Sequence, residues 1–258
     1  MSRGRYLFVS DLHLDADSPE AVAQFIGFLR GEALEADALY ILGDLFENWI
    51  GDDDDEPTRA AICAALREYT ARIPCHVMLG NRDFLLGAGF ERRSGCRLLP
   101  DPVRVQLGAT TLLLSHGDLL CTADAGYQRF RDFTRRPATQ RRFLSLPLST
   151  RRALARAARA GSRRYTRNQP ERIMDVSPQA VTALFRLGAT GLLVHGHTHR
   201  PATHAHEVDG RSATRIVLGD WYEQGSCLAL HADGRYEMLP VAPRAGSTLS
   251  IEPSSSRV

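Results

Sequence analysis

The chain has 258 residues, of which 43% are hydrophobic and 24% are charged, and its formal net charge is +2. This composition is that of a soluble globular protein with one large α/β domain, or a domain with an insertion, and the small net charge indicates no partner. The five cysteines are far apart and form no C-x-x-C pair, which argues against disulfides and a thiolate zinc site and favours a reducing cytosol. No window approaches the roughly 20 apolar residues of a membrane span, and the N-terminus has no hydrophobic signal core.

Short apolar runs recur along the chain, and each ends in a polar cluster. Near-continuous Leu, Val and Ile over about five residues predicts strands buried on both faces of a sheet. Other stretches begin at or near a proline and have apolar residues at helical spacing, which predicts helices between the strands. This alternation predicts a layered α/β fold. The runs, in chain order, are RYLFVSDLH, DALYILGDL, CHVMLGNRD, TTLLLSHGD, TGLLVHGHTH and TRIVLGDW, and the helical stretches are SPEAVAQFIGFLRGEALEA, PTRAAICAALREYTARI and SPQAVTALFRLGA.

Two regions interrupt the alternation. Residues 121–172 contain no strand pattern and are predicted to form several helices inserted between two strands. We therefore expect a core formed by residues 1–120 and 173–242, with 121–172 as a helical cap. Residues 243–258 are rich in Ser, Pro and Gly and are predicted to form a disordered tail.

Side chains that bind metals follow five of the predicted strands, at the sheet edge where α/β proteins bind ligands. Asp11 and His13 are two residues apart and are expected to face the same way. Alternation along a strand would likewise direct His197 and His199 to one point, and His195 is expected to face away from the metals. A single Asp or His in such a place is usually structural, but five clusters at five strand ends predict a metal site. The expected donors are Asp11, His13, Asp44, Asn81, His116, His197 and His199.

Seven nitrogen and oxygen donors are too many for one ion and enough for two, if one carboxylate bridges them. Asp44 is the expected bridge because it lies between the two groups of donors in chain order. The preceding Gly43 would allow the close approach that such a site needs. The donor set favours Mn²⁺, Fe or Zn²⁺ over Ca²⁺.

The blocks DLH, GD, GNRD, HGD and GHTH together resemble the signature of the calcineurin-like metallophosphoesterases. That resemblance implies a four-layer α/β/β/α sandwich with two divalent metal ions, Mn²⁺ before others. The longer strings ADALYILGDLFENWIGDDD, GNRDFLLG, LCTADAGYQRFR, IMDV and HGHTHRP resemble the UDP-2,3-diacylglucosamine pyrophosphatases of lipid A biosynthesis. This second resemblance extends to about residue 240. It implies that a metal-activated water attacks the α-phosphorus of UDP-2,3-diacylglucosamine, on the cytoplasmic face of the inner membrane.

The resemblance also assigns residues to catalysis and to substrate. Asp44 and Arg82 are the implied catalytic residues. Thr166 stands where the family has Asn and Gln169 where it has Lys, which puts those two contacts in doubt; a neighbouring arginine would have to replace the lysine. The implied substrate contacts are Asn81, Arg82, Asp124, Ser162, Thr166, Gln169 and His197.

Arg82 replaces the histidine of the usual GNHD-type block. Because an arginine does not give up its proton, it cannot protonate a leaving group, but it can bind phosphate oxygens through two N–H groups. A good leaving group is then required, which favours cleavage of a diphosphate over hydrolysis of a monoester. The alternative is a structural arginine paired with Asp83.

The predicted cap is strongly basic. From Tyr127 to Arg172 there are fourteen arginines against two acids, and Tyr127, Phe130 and Phe133 repeat every three residues. Such a surface suits acyl chains and an anionic membrane face. The alternative is that the apolar residues pack the cap onto the domain while the arginines stay solvated.

Two other functions are compatible with parts of the sequence. The arginines would suit a nucleic-acid-binding module, but no RNA or DNA motif is present and seven metal donors would be superfluous, so we expect no nucleic-acid partner. The other is a metallophosphoesterase for soluble nucleotides or phosphoproteins. The acidic segment 52–56 is expected to be a solvated loop.

Overall fold

The computed structural model describes residues 4–167, 175–222 and 225–241, and two β-sheets stacked face to face form its centre. The predicted tail, 243–258, and Gln169 lie outside the described residues. The described strands, numbered in chain order, are β1 (Arg5–Val9), β2 (Ala38–Ile41), β3 (Cys75–Met78), β4 (Arg97–Leu99), β5 (Val103–Leu107), β6 (Thr110–Ser115), β7 (Leu192–His195), β8 (Ala202–Val208), β9 (Arg211–Val217), β10 (Gly225–His231) and β11 (Tyr236–Val241).

The first sheet has six strands in the order β11-β10-β1-β2-β3-β4, and the second has five in the order β5-β6-β7-β9-β8. Strands β1 to β4 are parallel to one another, as are β6, β7 and β9, while the remaining pairs are antiparallel. Helices join β1 to β4 in succession and also join β6 to β7, whereas β7 continues to β9 through β8. Because parallel strands run in one direction, their carboxyl ends come together at one edge of each sheet.

Helices cover the outer faces of both sheets. Four of them begin with a proline, a residue that suits the first turn because its missing N–H would have no partner there. The described helices are α1 (Pro19–Leu29), α2 (Pro57–Thr70), α3 (Ala88–Ser94), α4 (Ala125–Thr134), α5 (Pro137–Leu144), α6 (Leu148–Arg167) and α7 (Pro178–Gly188), with short 3₁₀ turns at Glu32–Glu35 and Asp118–Leu120.

Alternate side chains of the first sheet enter two different cores. Leu7 and Val9 of β1 pack beneath α1 to α3, whereas Phe8 between them faces the second sheet. On the far side, Val181 and Phe185 of α7 pack on the second sheet. Strands buried on both faces have no need of polar residues, which accounts for the continuous apolar runs. The predicted four-layer α/β/β/α sandwich is confirmed.

The predicted strands correspond to β1, β2, β3, β6, β7 and β9, and five strands were not predicted. Four of these, β4, β5, β8 and β11, are the edges of the two sheets, and β10 lies next to an edge. Strand β8 exposes alternate side chains. An edge strand that faces solvent carries polar residues, so its sequence lacks the apolar run by which buried strands are recognised.

Helices α4, α5 and α6 follow one another between β6 and α7, and residues 121–167 contain no strand. The domain boundaries proposed from the sequence stay a prediction. No described helix combines the length and the apolar character needed to cross a bilayer. All five cysteines are buried, and none of them forms a disulfide.

The acidic segment 52–56 is a loop, as expected from its composition, but it is only partly solvated: Asp53 and Asp55 are exposed, whereas Asp54 is buried. Arg151 of α6 forms an ion pair with Asp53, and the Nη2 atom of Arg152 lies 2.7 Å from Oδ1 of Asp54, which is buried. The carboxylates therefore dock the long helix of the insertion onto the core. The sequence did not indicate these ion pairs because the partners lie 98 positions away along the chain.

Candidate active site

The seven predicted donors lie beyond the carboxyl ends of five strands, β1, β2, β3, β6 and β7, which belong to both sheets. Among the described residues, two groups have ligand atoms mutually within 4.8 Å, and both contain Asp11. The groups are Asp11, His13 and His199, and Asp11, Asp44 and His116.

The first group forms one half of the site. The Nε2 atoms of His13 and His199 are 3.4 Å apart, and Nε2 of His199 is 3.4 Å from Oδ1 of Asp11. That buried oxygen accepts no hydrogen bond within the described part of the chain. Burial opposes ionisation of Asp11, but the three histidines around it, above all His199, lower its pKa. A buried, ionised and unpartnered carboxylate oxygen beside two imidazole nitrogens fits a divalent cation.

Asp44 lies between this half and the second. Its Oδ2 is 3.8 Å from Nε2 of His13, and its Oδ1 is 3.8 Å from Nε2 of His116. Oδ1 of Asn81 is 3.0 Å from the same nitrogen of His116, and the ring centroid of His197 is 5.0 Å from that of His116. The arrangement suits the bridging role predicted for Asp44.

The orientation of His116 is fixed by the backbone. Its Nδ1 donates a hydrogen bond to the carbonyl oxygen of Leu42, 2.8 Å away, so Nε2 is the nitrogen that faces the other donors. Gly43 makes this approach possible, because a Cβ atom there would collide with the imidazole. Burial alone would lower the pKa of His116, but four carboxylates, with Asp44 the strongest, raise it to about 9. Their negative charge favours a cation at this edge.

The donors follow their strands in an unusual backbone conformation. Five of the seven described non-glycine residues with positive φ are expected ligands, and a left-handed backbone is unfavourable for such residues. Strand β7 ends at His195, so strand alternation does not direct the two histidines after it, and that part of the sequence argument was wrong. The five residues are Asp11 (φ 55°), His13 (φ 49°), Asp44 (φ 52°), His197 (φ 69°) and His199 (φ 54°).

His195 supports the loop that contains its neighbours and is not one of the clustered donors. It is fully buried, its Nδ1 donates to the carbonyl oxygen of Gly196 at 2.8 Å, and Nη1 of Arg215 lies 3.1 Å from its Nε2. Burial, reinforced by the charge of Arg215, lowers the pKa of His195 to about 4. The ring is therefore neutral, with Nδ1 as its donor.

Two carboxylates that the sequence analysis missed lie behind the donor histidines. Oε2 of Glu47 is 2.8 Å from Nδ1 of His13, and Oδ2 of Asp220 is 3.0 Å from Nδ1 of His199. A carboxylate on the second nitrogen of a ligating histidine orients the ring and increases its basicity. Both follow strand ends, in GDLFE and LGDW, and those strings are the only signal that could have indicated them.

Asp83 joins two of the loops and is not paired with Arg82. Its Oδ1 accepts from the backbone N–H of Gly80, and its Oδ2 accepts from that of Leu45, both at 2.8 Å. The backbone N–H of Arg82 donates to Oδ1 of Asp44 at 2.8 Å, while its Nε is buried without a hydrogen-bond partner in the described residues. The pairing of Arg82 with Asp83 is therefore not found among the described residues, and the catalytic role of Arg82 stays a prediction.

Helix α4 is attached to the site through Asp118. This buried carboxylate accepts from the Tyr127 hydroxyl at 2.8 Å, from Nε of Arg131 at 2.8 Å and from Nη2 of Arg135 at 3.2 Å. The Tyr127 ring stacks beside His197 with centroids 5.9 Å apart. The first helix of the insertion thus borders the second half of the donor cluster.

The expected substrate residues fall into two places. Asn81, Arg82 and His197 are at the donor cluster. Asp124 caps α4, accepting from the backbone N–H of Tyr127 and, at 2.7 Å, from the hydroxyl of Tyr165 on α6. The remaining three are Ser162, half-buried on α6, Thr166, whose side chain is outside the described part, and Gln169, also outside it; all seven roles stay predictions.

Comparison with known proteins agrees with this geometry. The sequence model of the calcineurin-like phosphoesterase family matches residues 4–201. The chain belongs to this family. It is 51% identical over 236 residues to a UDP-2,3-diacylglucosamine hydrolase of Stenotrophomonas maltophilia, covering 88% of this chain and 95% of that one. It is 50% identical over 236 residues to the protein of the same name in Xanthomonas campestris pv. campestris, covering 88% and 96%.

Solved structures were compared as well. A phosphoesterase from E. coli aligns over 92% of this chain and 100% of its own, with 14% sequence identity and a TM-score of 0.42. Family membership is established by the sequence matches and not by this structural likeness. They confirm the resemblance found in the short metal blocks and the longer strings.

Proposed function

We propose that the protein hydrolyses the pyrophosphate bond of UDP-2,3-diacylglucosamine to 2,3-diacylglucosamine 1-phosphate (lipid X) and UMP, in lipid A biosynthesis. The observation that supports this most directly is the gathering of donors from five strand ends at one edge of the stacked sheets. The identity of about one half to hydrolases named for that substrate gives the substrate class.

We propose two divalent ions, Mn²⁺ before others, as cofactors. When bound, such a pair lowers the pKa of water and neutralises charge at phosphorus, so no side-chain nucleophile is needed. The distances favour a first site with Asp11, His13 and His199 and a second with Asn81, His116 and His197. Asp44 would belong to both, since each of its oxygens is 3.8 Å from a histidine of a different half.

Arg82 is the proposed partner of the phosphate groups. Its backbone N–H donates to Asp44, and the charge of its guanidinium lowers the pKa of the neighbouring Glu47. Its buried Nε has no hydrogen-bond partner among the described residues. A guanidinium stabilises charge that develops on phosphate oxygens and does not transfer a proton. Attack at the phosphorus that becomes part of UMP, with a sugar phosphate leaving, suits that chemistry.

The insertion is the proposed site for the acyl chains and for contact with the inner membrane on its cytoplasmic side. Phe130 and Phe133 of α4 are 52% and 55% exposed, and Leu154 of α6 is 47% exposed. Apolar side chains among arginines are suited to an anionic lipid surface. Several of those arginines form ion pairs with acids of the core, which weakens the case for nucleic acid; they are Arg131, Arg135, Arg151, Arg152 and Arg159.

The test compares three substrates side by side with Mn²⁺: detergent-solubilised UDP-2,3-diacylglucosamine, bis(p-nitrophenyl) phosphate and labelled oligonucleotides. We expect efficient turnover of the lipid nucleotide only. In ¹⁸O-labelled water, mass spectrometry should find the label in UMP and none in the lipid phosphate, because attack is at the α-phosphorus. Turnover of the generic diester without the lipid would favour a phosphoesterase for soluble nucleotides or phosphoproteins, and label in the lipid phosphate would place the attack on the other phosphorus.

A further inference from the structure

Glu47 connects the first half of the donor cluster with helix α6. It lies in the segment after β2 and is 7% exposed. Its Oε2 is 2.8 Å from Nδ1 of His13, while the other ring nitrogen of His13 lies 3.4 Å from Nε2 of His199 and 3.8 Å from Oδ2 of Asp44. Nδ1 of the imidazole thus faces Glu47, and Nε2 faces the other donors.

The second oxygen of the same carboxylate belongs to the insertion. Nε of Arg159, on α6, lies 2.9 Å from Oε1 of Glu47, and its Nη1 lies 3.8 Å from Asp15. Among the described residues neither Nδ1 of His13 nor Nε of Arg159 has the alignment of a full hydrogen bond, so the contacts are chiefly electrostatic. A continuous path runs from α6 through Arg159 and Glu47 to His13.

We propose that Glu47 is a positioning residue that orients the His13 imidazole to bind the first metal ion. Through Arg159, this orientation depends on how helix α6 packs against the core. The inference depends on the metal centre of the proposed function. A buried carboxylate is unfavourable unless it is paired, and Glu47 has a partner on each oxygen. If α6 is displaced, Arg159 leaves, and Glu47 keeps the charge of Arg82 but loses the guanidinium that contacts its Oε1.

The consequence is reciprocal. A group that changes the seating of α6 changes affinity for the first ion, and by linkage that ion changes the affinity of whatever binds at α6. Substrate binding at the insertion and metal binding at the core would then be coupled through three side chains. The half that contains His116 has no such connection through Glu47.

The experiment measures Mn²⁺ binding to the metal-free protein by calorimetry, with no substrate present. We expect two sites in the unaltered protein. Glu47→Ala should weaken one of them by about 10–100-fold, and Glu47→Gln by less, because the dipole of its amide oxygen can still face Nδ1 of His13 although the charge is lost. Arg159→Ala should weaken the same site by about 5-fold or more. Arg152→Ala is the matched control, since it removes an ion pair of the same helix that does not reach the donors, and it should leave both sites unchanged.

Each outcome separates the alternatives. Two unaltered sites in a folded Glu47→Ala protein overturn the positioning role, and two unaltered sites in the milder Glu47→Gln variant overturn it if the alanine protein does not fold. Equal losses in Arg159→Ala and Arg152→Ala overturn the path through Glu47 and assign the effect to loosening of α6. If the unaltered protein binds no Mn²⁺, both the metal centre and this inference are overturned. If it binds two ions and substitution of Glu47 changes neither affinity, this inference alone is overturned.

Discussion

Oδ1 of Asp44 lies 3.8 Å from Nε2 of His116, and both side chains are buried. A buried carboxylate and imidazole this close would ordinarily form a direct ion pair. Here the other oxygen of Asp44 keeps the same distance from His13, so the carboxylate lies between two histidines at a distance too long for a hydrogen bond to either. The gap on each side is the most direct indication of where the ions would lie.

Replacing Asp44 should therefore affect both proposed sites. Asp44→Ala is expected to abolish turnover and to reduce Mn²⁺ bound from two ions to one or none, measured by metal analysis after gel filtration. His197→Ala should also abolish turnover. Asp233→Ala, in the exposed turn after β10, is the control and should retain normal activity. Ordinary turnover by Asp44→Ala would remove it from the site.

Arg82→Ala should slow kcat by about 10²–10³-fold if the guanidinium stabilises developing charge. Arg82→Lys keeps a positive charge but not the paired N–H groups, so it should recover only part of the loss. The exposed Arg72 at the end of α2 provides the control, as Arg72→Ala. A change confined to KM would mean that Arg82 binds the ground state and transition state equally.

The sequence could indicate the donors because each follows a strand buried on both faces, and such strands are easy to recognise. For Glu47 and Asp220 the sequence offered only their position after a strand, and no spacing tells which nitrogen of a histidine a distant carboxylate faces. The expected strand geometry of His197 failed for a related reason: the apolar run ends at His195, and a left-handed turn leaves no mark in composition.

The insertion should depend on one buried arginine for its docking. Nη1 of Arg151 donates to the carbonyl oxygen of Ile50 at 2.6 Å and to Asp53 at 2.8 Å. Arg151→Ala leaves that carbonyl unsatisfied and should cost about 1–3 kcal/mol of unfolding free energy, measured by urea titration, with faster proteolysis of α6. The exposed Arg156 on the same helix is the control, and its alanine variant should change stability by less than about 0.5 kcal/mol.

Alkaline conditions should destabilise the fold through its thiols. Burial raises the pKa of Cys227 and of Cys121 to about 12, against an ordinary thiol value of 9.0. Between these values the unfolded chain loses protons that the folded chain retains, so unfolding free energy falls as pH rises above about 9. Urea midpoints at pH 8 and pH 10 test this. Cys227→Ala should show a shallower pH dependence, by up to about 1.4 kcal/mol per pH unit, and an unchanged slope would contradict the prediction.

Vesicle binding should depend on the exposed phenylalanines of α4. The double variant Phe130→Ser/Phe133→Ser is expected to co-sediment less with phosphatidylglycerol vesicles than the unaltered protein, because both apolar contact and packing of the surrounding arginines are lost. Leu187→Ser is the control, since this residue of α7 is 75% exposed but lies on another helix. Equal sedimentation of all three proteins would argue against membrane contact through α4.

The left-handed backbone at five donor positions places two demands on the same residues. Glycine would adopt this backbone conformation without strain at each position, but it has no side chain that could bind an ion. Selection for stability and selection for metal binding therefore favour different amino acids there. The surrounding sheets must hold these turns against their own preference before any ion arrives. The strained backbone therefore lies in the short connections that hold the donors, and a less tightly packed pair of sheets would let these connections relax to an ordinary conformation.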